Sequence, residues 1–175
     1  MKSEIFRHIA GYAVGGTIFL LLIPFGIFEL SKLDYIMGEA VLIHSHIVRM
    51  IVTPFFFITG VVFMAWSNVF LFKIGKGGPA DGLGVAISPR TKKLVISGPY
   101  RFTRNPMVFG AFSLYIAVAV SLNSILCLAC LLILFFLASF YLKASEEKRM
   151  LRDFGEDYLK YKKEVSFLIP WVQKK

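Results

Sequence analysis

Four long apolar runs divide the chain: Ile9 to Leu30, Met50 to Phe72, Pro106 to Leu122 and Ile125 to Leu142. Each approaches the roughly 20 residues that a helix needs to cross about 30 Å of hydrocarbon. The pattern predicts an all-α fold, a polytopic membrane bundle of about four transmembrane helices, with residues 1–175 forming a single domain. The last two runs are short, and only Asn123 and Ser124 separate them. That spacing predicts a tight helical hairpin that crosses the membrane and returns. Pro24 and Pro54 lie inside the first two runs and predict either kinks or places where freed carbonyls find other partners. No small-residue cleavage site follows the first run, so it is expected to persist as a span.

Beyond the fourth run the pattern changes. Met150, Phe154, Tyr158, Tyr161 and Val165 recur at spacings of four and three within a charged stretch, which predicts an amphipathic helical tail. Gly155 is a candidate break that divides this tail into two helices. Two placements stand for its apolar stripe: flat on the membrane surface, or folded back to cap a pocket between the spans.

Composition agrees with the bilayer as solvent, because 57% apolar residues and a mean hydropathy of +0.68 exceed what a soluble domain carries. The net charge of +9 does not indicate nucleic acid, since the basic residues lie between apolar runs and fit headgroups or small anions better. Lys73, Lys76, Arg90, Lys92, Lys93, Arg101 and Arg104 fall in the central loop, while only Lys32 and Arg49 fall between the first two spans. By the positive-inside rule both termini, the central loop and any active site are expected to face the cytoplasm. Cys127 and Cys130 sit inside an apolar run, where they are expected to pack rather than react. His44 and His46 provide too few ligands for a zinc site, so no metal is expected. Gly11 and Gly15 form a G-x-x-x-G that suits close helix packing, internal or between subunits, and the oligomeric state stays open.

Two segments carry candidate chemistry. Arg101 and Arg104 lie three residues apart beside Pro106, which suits a helix N1 position. A helix start and two guanidinium forks favour a carboxylate or phosphate, and headgroup anchoring is the competing reading. Glu146 and Glu147 are two acids at the boundary of a membrane helix, among lysines and arginines. Ionisable groups there are functional suspects, with a solvated pair balancing the nearby cations as the alternative. The glycines of the central loop, Gly75, Gly77, Gly78, Gly82 and Gly84, form either an anion cradle or a flexible connector.

The run Gly98-Pro99-Tyr100-Arg101-Phe102-Thr103-Arg104-Asn105-Pro106-Met107 with Gly110, and then Glu146-Glu147 followed by Phe154-Gly155, Tyr158, Tyr161, Val165 and Pro170, resembles two motifs of one family. This is the family of membrane methyltransferases that includes isoprenylcysteine carboxyl methyltransferases and phospholipid methyltransferases. The resemblance covers roughly residues 73–170 and implies that this half binds S-adenosylmethionine and transfers its methyl group to a lipid or lipid-like acceptor held in the membrane. It implies a cofactor site built from Gly98, Tyr100, Arg101, Arg104, Asn105, Pro106, Met107, Gly110, Glu146, Glu147, Tyr158 and Tyr161. Arg104, Asn105 and Glu147 are the residues it puts closest to catalysis. Three positions depart from the pattern: Asn105 where prenylcysteine enzymes have His, Val108 where Tyr is usual, and Phe167 where many relatives have Arg. These departures leave the acceptor open and keep a non-enzymatic lipid-binding or assembly protein on the same scaffold as the alternative.

Overall fold

A computed structural model describes residues 2–36, 41–77, 81–82, 85–86 and 91–171. Gly78, Pro79, Gly84 and Arg90 of the central loop lie outside these residues. The described chain is helical: α1 (Lys2–Gly16), α2 (Ile23–Ile36), α3 (His46–Phe70), α4 (Pro106–Ser121), α5 (Ile125–Ala144) and α6 (Glu146–Glu164). Its one sheet element among them is a two-residue antiparallel ladder that pairs Asp81 with Ala86 and Gly82 with Val85.

Three of the four expected spans reach crossing length. Three helical stretches, Ile9–Asp34, His46–Gly75 and the run from Ile125, are long and apolar enough to cross a membrane. The fourth, α4, has 16 residues, which rise about 24 Å and fall short of the hydrocarbon thickness. Nine of its residues are buried, among them Ala111, Phe112, Tyr115 and Ala119, so it forms the centre of the bundle with α2, α3 and α5 around it. The lipid-facing side chains belong to the outer helices, as with Phe55 at 64% and Phe140 at 76% exposure.

The closest helix contact, between α3 and α4, is built on two glycines. A Cβ on Gly110 would stand 2.9 Å from the Gly60 carbonyl oxygen and from the Met64 amide, and one on Gly60 would stand 2.8 Å from the Gly110 carbonyl oxygen. Small residues at a crossing let backbones touch, which is how helices associate when lipid removes the hydrophobic drive between them. In contrast, a Cβ on Gly15 would meet nothing within 4 Å among the described residues, so Gly15 itself makes no close helix contact with them.

Proline and helix geometry explain each other in the first span. A π-helical turn, Thr17–Leu22, joins α1 to α2, and the Ile23 amide donates to the Ile18 carbonyl at the π spacing. At the same spacing the Phe19 carbonyl would look to residue 24, which is Pro24 and has no N–H. The Tyr115 hydroxyl from α4 donates to that carbonyl instead, at 3.0 Å. Pro54 sits within α3, which stays helical through it.

The expected hairpin is also present. Asn123 takes the left-handed conformation at φ 55°, and Ser124 caps α5 by accepting from the Cys127 amide at 3.0 Å. Asp34, at the end of α2, accepts from the Ser124 hydroxyl and from the Leu126 amide. The segment after α2 joins the same turn, since the Ile43 amide donates to Asn123 Oδ1 at 2.8 Å. Cys127 is fully buried and directs its thiol at the Ile27 carbonyl, and both cysteines are unbridged.

Candidate active site

The chemistry gathers at the end of the bundle opposite this turn. The Lys92 amide donates to the Gly75 carbonyl at 2.8 Å, which ties the central loop to the end of the second span and brings Val95 beside Leu71. Gly98 then turns at φ 63°, where a Cβ would collide with the Phe70 ring, and the chain enters a 3-10 turn over Gly98–Arg101. Pro106 opens α4 at its first position, as its fixed φ favours.

The tail arrives from the other direction. α6 is broken at Gly155, where φ 52° and ψ −128° are far from helical, so the expected division into two helices is present. The second half folds back rather than lying free. Tyr158, Tyr161 and Val165 are buried, with Leu94, Met150 and Phe154 packed against them. The Tyr161 hydroxyl donates to the Tyr100 carbonyl at 2.6 Å, which fixes the stripe to the central loop.

A cavity opens between these parts, walled by Tyr100, Arg104, Asn105, Pro106, Met107, Glu146, Glu147, Tyr158 and Tyr161. Nine of the twelve residues proposed from sequence therefore converge on one space. The other three stand elsewhere, each for a physical reason. Gly98 provides the turn against Phe70, Gly110 the helix crossing with Gly60, and Arg101 is exposed with its guanidinium 5.1 Å from the Phe102 ring.

At the centre is a buried ion pair. Arg104 and Glu147 have side chains 9% and 13% exposed, and Nη1 of Arg104 donates to Oε1 of Glu147 at 2.5 Å and to the Tyr158 hydroxyl at 3.2 Å. The second carboxylate oxygen of Glu147 accepts from Lys162 Nζ at 2.6 Å. Asn105 directs its amide Nδ2 to the Phe167 carbonyl at 2.9 Å. Among the described residues, the Nε–H of Arg104 has no hydrogen-bond partner. The Glu146 carboxyl stands on the same wall.

Burial pushes the Glu146 carboxyl up to about 7, far above the ordinary carboxylate range. The hydroxyls of Tyr100, Tyr158 and Tyr161 are all raised, chiefly by burial, and stay protonated at neutral pH. They are not bases here: Tyr161 donates to the Tyr100 carbonyl, and Tyr158 accepts from Arg104.

Sequence reasoning missed part of the wall. Leu71, Val95, Leu142 and Phe167 line it too, and Lys162 holds Glu147. Apolar residues carry no chemical signature, and Lys162 is one lysine among several in a charged helix. Phe167 had a signal, as a departure from the family's usual Arg. Its ring lies 5.4 Å from the Arg104 guanidinium and 4.9 Å from Lys143 Nζ.

Among the described residues there is no group of three or more His, Cys, Asp or Glu side chains placed to hold a metal. No curated protein and no solved structure matches the chain. A family model, phospholipid methyltransferase, matches residues 48–157, which take in α3, α4, α5, the central loop and the double glutamate. With more than half of its length matched, this integral membrane chain belongs to the phospholipid methyltransferase family.

Proposed function

We propose that the chain transfers a methyl group from S-adenosylmethionine to a lipid or lipid-like acceptor held in the membrane, at the cavity between Arg104 and Glu146. The observation that carries this reading is the pair of groups on the cavity wall, a Glu146 carboxyl raised by burial and an Arg104 N–H without a partner among the described residues. They are the two charges that the amino-acid end of S-adenosylmethionine requires, an anion for its ammonium and a donor for its carboxylate. The buried tyrosines fit the remainder, since aromatic faces suit a sulfonium.

Bound there, S-adenosylmethionine would supply an electrophilic methyl group for an acceptor lone pair, with the thioether as leaving group. The chain's own contribution is alignment and exclusion of water. Glu146 holds the positive end, and Arg104, fixed by Glu147 and Tyr158, holds the negative end. Leu71, Val95, Met107 and Leu142 keep the rest of the space dry and give an acceptor with a hydrocarbon tail a path from the bilayer. Arg104, Asn105 and Glu147 then act largely by arranging the site, because their polar atoms are mostly committed to protein partners. By the charge asymmetry of the loops, the cavity and both termini face the cytoplasm, where the polar cofactor is found.

The test uses purified full-length protein in detergent. Calorimetric titration with S-adenosylmethionine is expected to give one site per chain, and incubation of membrane lipid extract with methyl-labelled cofactor is expected to yield labelled lipid. Binding without transfer to any lipid fraction would remove the acceptor class. No binding at all would favour a scaffold that has lost its activity.

A further inference from the structure

Thr103 is fully buried although it has a hydroxyl and lies in a loop. Its Oγ1 shares its proton between the Phe167 carbonyl at 3.1 Å and the Leu168 carbonyl at 2.9 Å, and accepts from the Asn105 amide at 3.3 Å. Around it the segment Val165–Trp171 is bonded along its length to the loop that carries Arg104. The Arg104 amide donates to the Ser166 carbonyl at 2.9 Å, the Ser166 hydroxyl to the Phe102 carbonyl at 3.0 Å, and the Trp171 amide to the same Phe102 carbonyl at 3.0 Å. Among these bonds only those of Thr103 come from a side chain sealed from water. This strap lies beyond the residues that the family model matches, and the threonine occupies a motif position to which no chemistry is assigned.

We propose that Thr103 is a positioning residue for the cofactor site: it latches the strap onto the loop, which holds the Phe167 ring against Arg104 and keeps that guanidinium aimed at the cavity. A hydroxyl is required because two strap carbonyls and one loop amide converge on one buried point: with an apolar side chain there the Leu168 carbonyl and the Asn105 amide would lose this partner, and the Phe167 carbonyl would keep only Asn105 Nδ2. Threonine meets this need in the smallest volume that also fills the space with a methyl group. The role rests on the reading of the cavity as the S-adenosylmethionine site.

The experiment compares the full-length protein with Thr103→Val, which keeps the shape, and Thr103→Ser, which keeps the hydroxyl. Two quantities are read in each: calorimetric affinity for S-adenosylmethionine, and hydrogen exchange at the Arg104 and Trp171 amides without ligand. Thr103→Val is expected to exchange at least tenfold faster at both amides and to bind about tenfold more weakly, and Thr103→Ser to restore both to within about threefold. Faster exchange with unchanged affinity would overturn the positioning role, and unchanged exchange would overturn the latch itself. Should Thr103→Val not fold, Ser166→Ala loosens the strap from its other side and is expected to move both readings in the same direction. Failure of the unaltered protein to bind would sink the functional reading instead, and the exchange rates would then decide the latch alone.

Discussion

Glu146 and Glu147 are adjacent in sequence and opposite in circumstance: both oxygens of Glu147 are taken, by Arg104 and Lys162, while the Glu146 carboxyl is raised by burial. Neighbours on a helix point about 100° apart, so two acids in a row need not do the same work. Glu146→Gln is expected to weaken S-adenosylmethionine binding by about ten- to a hundredfold, the worth of a charge-assisted bond of roughly 1.5 to 3 kcal/mol, with thermal stability equal or higher, since a buried charge is removed. Glu147→Gln is expected to cost stability as well, about 3 kcal/mol, because it leaves a buried guanidinium uncompensated. Calorimetry and thermal melts on both variants check this, and equal loss of stability in the two would refute it.

The raised pKa of Glu146 sets a pH dependence. With its pKa moved up to about 7 in the fold, the neutral form is favoured, so this group's contribution to the stability of the unliganded protein is fully present below the ordinary carboxylate pKa. It is lost as pH rises through about 7. Binding runs the other way, since only the ionised carboxylate pairs with an ammonium. Affinity for S-adenosylmethionine is expected to rise with pH to a plateau above about 7, and the unliganded melting temperature to fall between the ordinary carboxylate pKa and about 7 and then level off. In Glu146→Gln both slopes should flatten, and a slope that survives the substitution would assign the titration to another group.

Part of this arrangement was legible in the chain and part was not. The spans, the Asn123-Ser124 turn and the foldback at Gly155 each left a local mark: an apolar run, a two-residue gap, a glycine in a charged helix. Gly110 shows the limit of a motif, because a glycine needed for helix contact looks the same as one needed at a cofactor. Asp34 and Tyr115 left no mark at all. Their partners are the Ser124 hydroxyl and the Phe19 carbonyl, some ninety residues away, and neither periodicity nor spacing records contacts that only the assembled bundle creates.

The glycine crossing predicts a stability defect separable from chemistry. Gly110→Ala places a methyl group 2.9 Å from backbone atoms of α3, which cannot give way as a flexible side chain would. Overpacking of this kind costs about 1 to 3 kcal/mol. A lowered melting temperature in detergent is expected, with membrane insertion intact. An unchanged melt would show that α3 and α4 separate at little cost.

Sidedness is open to labelling. In a background without Cys127 and Cys130, a cysteine at the exposed Ile169 is expected to react with an impermeant maleimide only from the cytoplasmic side, and one at the exposed Ser121 only from the other. Ser121 is the better probe of the turn, because Asn123 holds a left-handed conformation and accepts from the Ile43 amide. Reaction of both from one side would overturn the orientation.

Gly155 is where the tail becomes part of the site. Its φ of 52° with ψ of −128° is a combination that glycine tolerates and a Cβ does not, although space alone is no obstacle, since a Cβ there would meet nothing within 4 Å. The break reverses the helix so that Tyr158 and Lys162 return to the Arg104–Glu147 pair in the first half's own neighbourhood. Gly155→Ala would favour a straight helix instead, which carries those side chains away from the cavity. The expected result is a loss of about 1 to 3 kcal/mol of stability and at least a tenfold loss of affinity for S-adenosylmethionine, with the helical circular-dichroism signal equal or higher. The last reading separates backbone strain from general damage, because a variant that merely unfolds would lose helix. Unaltered affinity in Gly155→Ala would mean that the second half of α6 does not contribute to the site.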